Sequence, residues 1–386
     1  MPEIKPKAET FAKIKVVGIG GSGGSGVDRM IESNIKGVEF IALNTDVQAL
    51  HYNKAGKKLH IGKTITRGLG AGMNPELGKQ AAEESQNEIR DLLKDSDMVF
   101  ITCGLGGGTG TGASPIVAEI ARDLGCLTVA VITKPFSFEG GQRRNIAEKG
   151  FIELVDKVDA TIVISNDKLL QIIDKKTSLL DAFNIADDIL RQGVQGIADI
   201  ITVPGIINAD FADIKTIMSN AGSSLMGIGK ASGENKAVEA AKAAINSPLL
   251  DMSIDGARGV VFTITGGNAL TMDEVNEAAK VITSSVDEDA KIIFGAVINE
   301  KLKDEIKITV IATGFNNKET MVDLNKTYTA NNFIKETKKQ EEKQNQIFSS
   351  KSTKSEFNDP VKNQQAVAED EEDELDIPAF IRKKMI

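Results

Sequence analysis

Nine consecutive residues, Gly104-Leu105-Gly106-Gly107-Gly108-Thr109-Gly110-Thr111-Gly112, contain six glycines. An apolar run, Met98 to Cys103, precedes them and a helix-like segment, Ala113 to Leu124, follows, so the stretch reads as strand, glycine loop, helix. Removing almost every Cβ lets successive backbone N–H groups turn inward on a phosphate, and the helix start adds the positive end of its dipole. Thr109 and Thr111 add hydroxyl donors. Glycines also serve turns and close packing, but six in nine residues lose more backbone entropy than a turn requires. We therefore read Gly104, Gly106, Gly107, Gly108, Thr109, Gly110 and Thr111 as phosphate contacts.

A second unit of the same kind lies near the N-terminus. Ile14 to Gly18 is an apolar run with one lysine; it opens into Gly20-Gly21-Ser22-Gly23-Gly24-Ser25-Gly26 and then a helix-like stretch to Ser33. Gly18 to Gly23 satisfies G-x-G-x-x-G, with Asp46 falling 23 residues after the last glycine, beyond the strand Glu39 to Leu43. A nicotinamide- or flavin-dependent oxidoreductase fits that half of the pattern. Against it stands the loop at Gly104, because a dinucleotide fold uses one such loop, whereas two suit a triphosphate clasped from both sides. Gly20, Gly21, Ser22, Gly23, Gly24 and Ser25 are the contacts expected from the first. Gly56 to Thr64 imitates a P-loop but has five residues, not four, between Gly56 and Gly62-Lys63-Thr64, and glycines continue where a helix is needed. Lys63 and Arg67 read as solvated or interface residues.

Gly106-Gly107-Gly108-Thr109-Gly110-Thr111-Gly112 resembles the tubulin signature, and the chain from about Ile14 to Gly314 resembles the tubulin/FtsZ family of polymerising cell-division GTPases. The resemblance implies GTP and GDP as ligands, with Mg²⁺, and places Asn44-Thr45-Asp46 near the nucleotide; on its own that triplet is equally a polar strand end with an Asx turn. In the family the first loop is usually a longer glycine run followed by Asn. Here Ser22 replaces a glycine, Ser25 stands where the Asn is expected, and Gly26 replaces an alanine. The resemblance also assigns Glu139 and Arg143 to ribose and phosphate contacts and Asn166, at the exit of a strand from Ala160 to Ile164, to the site; a solvated first helical turn is the plainer reading of the first two.

Lys176 to Ile201 is the longest helical pattern, opened by Ser178 and Asp181 in a capping-box-like arrangement and closed by Pro204-Gly205. The resemblance brings Phe183, Asn184, Asp187 and Asp188 to the guanine ring. A carboxylate suits the N1 and N2 donors of guanine, which adenine cannot match, although Asp187-Asp188 also reads as a solvated helix face. Asn208, Asp210 and Asp213 correspond to the family's catalytic loop. Three apart at a helix start, the two aspartates can face the same way, and they equally fit an N-cap and a first-turn acid. The implied mechanism is hydrolysis in trans, with Asp210 and Asp213 of one subunit acting on the nucleotide held by the next in a head-to-tail homopolymer.

The expected fold is α/β: a doubly wound, mainly parallel sheet over residues 13–175, a central helix over 176–202, and a smaller α+β domain over 203–316 carrying the catalytic loop. Residues 1–12 read as a disordered extension. From Asn316 the composition turns to Lys, Glu, Gln, Asn and Ser, so 317–370 reads as a disordered linker. Residues 371–386 restore apolar anchors at Leu375, Ile377, Phe380 and Ile381. This end resembles the family's C-terminal peptide, expected to dock through Asp373 to Lys384 on membrane-tethering and regulatory division proteins.

Charge removes other classes. With 55 acidic against 46 basic residues the net charge is -9, which offers no field for nucleic acid. Cys103 and Cys126 lack metal-ligand spacing, and His51 and His60 belong to no nucleophile constellation. No apolar run approaches the roughly 20 residues of a membrane span, and the N-terminus lacks an export signal, so a cytoplasmic protein without direct membrane insertion is expected, and the family resemblance implies its concentration at mid-cell.

Overall fold

The computed structural model describes residues 12–170, 177–203, 205–207, 209–248, 250, 252–300 and 302–315. The linker, the C-terminal peptide, nearly all of the N-terminal extension and Asn208 lie outside the described residues. In chain order the elements are β1 (Ile14–Ile19), α1 (Gly20–Glu32), β2 (Val38–Asn44), α2 (Val47–Tyr52), β3 (Lys57–His60), α3 (Lys63–Thr66), α4 (Pro75–Glu84), α5 (Gln86–Leu93), β4 (Met98–Gly104), α6 (Thr109–Asp123), β5 (Leu127–Lys134), α7 (Gly141–Val155), β6 (Ala160–Ser165), α8 (Asn166–Leu169) and α9 (Leu179–Thr202). Then follow α10 (Phe211–Met218), β7 (Gly222–Ser232), α11 (Lys236–Ile245), β8 (Gly259–Gly266), α12 (Met272–Thr283), β9 (Lys291–Ile298) and β10 (Glu305–Thr313).

All ten strands form one sheet in the order β3-β2-β1-β4-β5-β6-β7-β10-β8-β9. The first seven pair in parallel. β7 joins the two halves: Gly222 to Ser224 pair in parallel with β6, and Leu225 to Ser232 run antiparallel to β10. β1 lies between β2 and β4, so the chain reverses direction across the sheet there. That topological switch opens a crevice at the carboxyl ends of β1 and β4, where doubly wound folds bind ligands. Ile19 pairs with Cys103, so the loops that leave these strands depart side by side.

Near-continuous apolar strands such as Met98 to Cys103 need cover on both faces. One face packs α1 and α9 through Val27, Met30, Leu190 and Val194. The other packs α4, α5, α6 and α7 through Ala81, Ile89, Val117 and Leu154. A third cluster sets α11 and α12 on the antiparallel strands. Burying such surface supplies about 25 cal/mol per Å² of apolar area. α9 crosses from one edge of the sheet to the other: its first turns touch the exit of β5, and Thr202 at its end donates to Lys36 O, just before β2. At 1.5 Å per residue, its 24 residues span roughly 36 Å.

Two local expectations change. The run Gly20 to Gly26 is helical from its first residue, not a loop before a helix. Gly20 turns the chain at φ 73°, and a Cβ on Gly23 would sit 2.3 Å from Thr102 O, so close backbone packing onto β4 overrides glycine's poor helix propensity. α6 likewise starts at Thr109, inside the glycine stretch. The apolar residues of Pro75 to Leu93 recur at helical spacing, yet the stretch forms two helices, divided at Ser85, whose hydroxyl accepts from Gly62 N at 3.3 Å. Lys63 opens a four-residue turn of helix and pairs with Glu88 at 2.9 Å on the surface.

Candidate functional site

Five segments converge at the carboxyl edge of the parallel strands. Gly20 to Ser25 begin α1; Gly104 to Thr111 leave β4 and begin α6; Glu139 and Arg143 follow β5; Asn166 follows β6; Phe183 and Asp187 lie in the first turns of α9. The two glycine segments touch. A Cβ on Gly104 would meet Ser22 Oγ at 2.7 Å, and one on Gly20 would meet Gly110 N at 3.0 Å. Neither α1 nor α6 has a side-chain cap, so two helix starts present their first N–H groups side by side.

The glycines divide by cause. Gly106 adopts φ 100°, and Cβ atoms on Gly108, Gly110 and Gly112 would sit 2.7, 2.8 and 1.8 Å from the carbonyl oxygens of Gly72, Gly104 and Pro75. Those positions are glycine because the fold leaves no room. Gly21 and Gly107 are different: neither has a left-handed φ, and no described atom lies within 4 Å of the place a Cβ would take. Both face open space at the crevice, where a missing Cβ leaves the backbone accessible to a ligand. Gly24 O accepts from Asn53 Nδ2 at 2.9 Å, and Ser25 Oγ donates back to Gly21 O at 3.2 Å. Thr111 Oγ1 accepts from Gly106 N at 2.9 Å and holds the loop's shape.

Around the crevice stand groups suited to a sugar and a base. Arg143 pairs with Glu139, whose other oxygen accepts from Phe136 N at 2.9 Å. Asn166 is 6 % exposed, and its Oδ1 has no hydrogen-bond partner among the described residues. A buried unpaired carbonyl oxygen of this kind costs about 1–3 kcal/mol, which a ligand donor recovers. Phe183 is half-exposed, with its ring edge-on to buried Phe136 at 5.4 Å. Burial pushes the Asp187 carboxyl up to about 6, with the nearby Arg29 guanidinium opposing and Asp28 adding to the shift.

Asp210 and Asp213 are exposed at the start of α10, at the other edge of the sheet. The segment before them is pinned to β9, with Ile206 N donating to Ala296 O at 2.9 Å and Ala296 N donating to Ile207 O at 3.0 Å. The segment after α10 is held to the beginning of β6, where Asn220 N donates to Asp159 Oδ1 at 3.3 Å. Asp210 occupies the N-cap position of α10, yet its side chain makes no capping hydrogen bond. The fold thus gathers the glycines, Glu139, Arg143, Asn166, Phe183 and Asp187 into one crevice and holds the two acids away from it.

The comparisons with known proteins bear on this geometry. Residues 13–174 match the GTPase domain of the Tubulin/FtsZ family, and residues 222–316 match the C-terminal domain of the FtsZ family. An M. jannaschii FtsZ structure, described as an empty dimer, is 47% identical with a TM-score of 0.77, covering 80% of this chain and 89% of its own. This chain belongs to the FtsZ family. Two Haloferax volcanii structures share the fold: CetZ1, described as a GDP-bound monomer, at 21% identity, TM-score 0.70 and coverage of 81% and 98%; and CetZ2, described as a GTPgS-bound protofilament, at 18%, 0.70, 84% and 99%.

As a member of the FtsZ family the chain carries a GTPase domain, and the crevice lies wholly within it apart from Phe183 and Asp187. Two contributors escaped the sequence reading. Phe136, stacked on Phe138 at 4.9 Å, backs the Phe183 ring, and Arg29 Nη2 donates to Asn184 Oδ1 at 2.6 Å, fixing α1 against α9 beside Asp187. Aromatic residues at a strand exit were the only signal for the first; the second joins residues 155 apart and leaves no local trace. No helix among the described residues is long and apolar enough to cross a membrane. Among them, too, no group of three His, Cys, Asp or Glu side chains is arranged to hold a metal ion.

Proposed function

We propose that this protein is a polymerising GTPase whose nucleotide is bound by one subunit and hydrolysed with the acids of the next. The triphosphate lies on the paired starts of α1 and α6, the ribose beside Glu139 and Arg143, and guanine between Asn166, Phe183 and Asp187. The observation that carries the reading is the separation of the crevice from Asp210 and Asp213, which stand at opposite edges of one sheet. A chain that binds nucleotide at one edge and presents uncapped carboxylates at the other completes its site by head-to-tail stacking. Such heterologous contacts do not close, and they generate filaments.

At that junction Asp210 and Asp213 orient and polarise the attacking water, with Asn208 as a further catalytic residue of the same loop, while the backbone N–H groups of the crevice stabilise charge on the phosphates. Mg²⁺ would arrive with the nucleotide and neutralise phosphate charge, held mostly by phosphate oxygens and water, since the described residues offer no ready cluster for it. In the cell the filaments form the division ring at the future septum, in the cytoplasm at mid-cell. Asp373 to Lys384 link them to membrane-tethering and regulatory proteins. The M. jannaschii relative is described as a dimer, which accords with self-association.

The test is GTP turnover per subunit against protein concentration, with light scattering followed in parallel. Turnover should be slow in dilute monomer and rise as polymer forms. Full-rate hydrolysis by a demonstrably monomeric sample would sink the shared site.

A further inference from the structure

We propose that Thr45 is a positioning residue for the phosphate loop, its hydroxyl holding that of Thr109 so that the Thr109 proton points at a phosphate oxygen. This rests on the reading that the crevice holds GTP. Thr45 lies between two residues whose side chains are occupied locally. Asn44 Oδ1 accepts from Asp46 N at 3.2 Å, and Asp46 Oδ1 caps α2 by accepting from Gln48 N at 2.8 Å and Ala49 N at 3.1 Å. Of the three, Thr45 is the one whose side chain reaches the phosphate loop. It is fully buried, with its Oγ1 2.6 Å from Thr109 Oγ1. Its backbone is fixed as well, because its carbonyl oxygen accepts from Thr66 Oγ1 at 3.2 Å and from Gly70 N at 3.2 Å.

Thr109 is the first residue of α6 and is wedged at the seam of the two glycine segments: a Cβ on Gly20 would lie 3.4 Å from Thr109 Cβ. A hydroxyl has one proton and two lone pairs, so the Thr45–Thr109 bond can run either way. If Thr109 donates to Thr45, it has nothing left for a phosphate, which only accepts. If Thr45 donates, the Thr109 proton is free to point outward. A bound phosphate selects the second arrangement and gains a charge-assisted bond from a hydroxyl already set in place. Thr111, the other hydroxyl of the loop, accepts from Gly106 N, so it shapes the loop itself.

The test compares dissociation constants for GTP and for guanosine in wild type, Thr45→Val, Thr45→Ser, Thr109→Ala and the double variant Thr45→Val/Thr109→Ala. Guanosine carries the base without phosphates. We expect Thr45→Val to weaken GTP about tenfold and guanosine less than twofold. Thr45→Ser should restore GTP affinity, and the double variant should match Thr109→Ala alone. Equal losses for GTP and guanosine, no rescue by serine, or additive losses in the double variant would each overturn the assignment. Should Thr45→Val fail to fold by circular dichroism, Thr45→Ala carries the same expectations. A wild-type protein without GTP affinity would overturn the crevice reading itself, a result distinct from any of these.

Discussion

Two glycines of the same glycine-rich stretch, five residues apart, carry different constraints, and a single methyl group separates them. At Gly112 an added Cβ would sit 1.8 Å from Pro75 O, against the backbone of α4. At Gly107 it would meet nothing within 4 Å. Gly107→Ala should therefore keep the wild-type melting temperature within a few degrees and lose nucleotide affinity at least about tenfold, because the methyl intrudes where the phosphate approaches. Gly112→Ala should unfold readily, losing about 1–3 kcal/mol or more to overpacking. Melting curves with and without GTP check both, and a Gly107→Ala protein with full affinity would remove that glycine from the site. Asp187 makes a second prediction. Its folded pKa, about 6, stands above the ordinary value of 3.8, so the group takes stability away from the unliganded protein as pH rises from near 4 to above 6. Guanine N1–H and N2–H donors need the charged carboxylate, so binding is linked in the opposite sense. GDP affinity should fall as pH drops through about 6, approaching tenfold per pH unit below it, and Asp187→Asn should flatten this dependence. Isothermal titration of both proteins from pH 5 to 7.5 decides it; equal slopes would take the base contact from Asp187.

At the scale of elements, apolar runs, glycine spacing and cap residues sufficed for most of the parallel strands and for α9. Ser178 accepts from Asp181 N at 3.1 Å at the start of α9, as the S-x-x-D spacing suggests. What local pattern could not show were contacts distant in sequence. The break between α4 and α5 is made by Ser85 reaching Gly62 N, and the helical form of Gly20 to Gly26 by packing on Thr102. The lone lysine in β1 is a third case. Lys15 is buried and its Nζ donates to Leu92 O at 2.8 Å and Lys94 O at 2.7 Å, so it satisfies carbonyls at the end of α5 that the helix itself cannot. Burial lowers its pKa, with the Glu39 charge acting against that. Lys15→Met keeps the length and apolar stem but strands the two carbonyls, and it should cost about 1–3 kcal/mol in urea unfolding with an unchanged m-value. No loss of stability would mean that water serves those carbonyls as well. Most of the candidate site was legible as two strand-loop-helix units; the aromatic backing of Phe183 and the separation of the acids from the crevice needed the fold.

For the whole molecule the decisive property is polarity. α9 runs roughly 36 Å from the crevice edge to the edge that carries Asp210 and Asp213, and backbone hydrogen bonds to Ala296 and to Asp159 pin the segments flanking those acids there. A shared site makes a prediction that a self-contained site cannot satisfy. Gly107→Ala subunits keep the acids and lose the crevice; Asp213→Asn subunits keep the crevice and lose an acid. Each alone should hydrolyse GTP slowly. Mixed, they form junctions in which the intact crevice of an Asp213→Asn subunit meets the intact acids of a Gly107→Ala subunit. Random mixing at equal ratio makes about one junction in four of this kind, so turnover should rise well above the sum of the separate proteins and approach at most about one quarter of wild type. The mixture, each variant alone and wild type are compared at one total concentration above that needed for assembly, with light scattering recorded for each. If the mixture assembles and its turnover equals the sum of its parts, each chain uses its own acids, and the polarity of the fold has some other purpose.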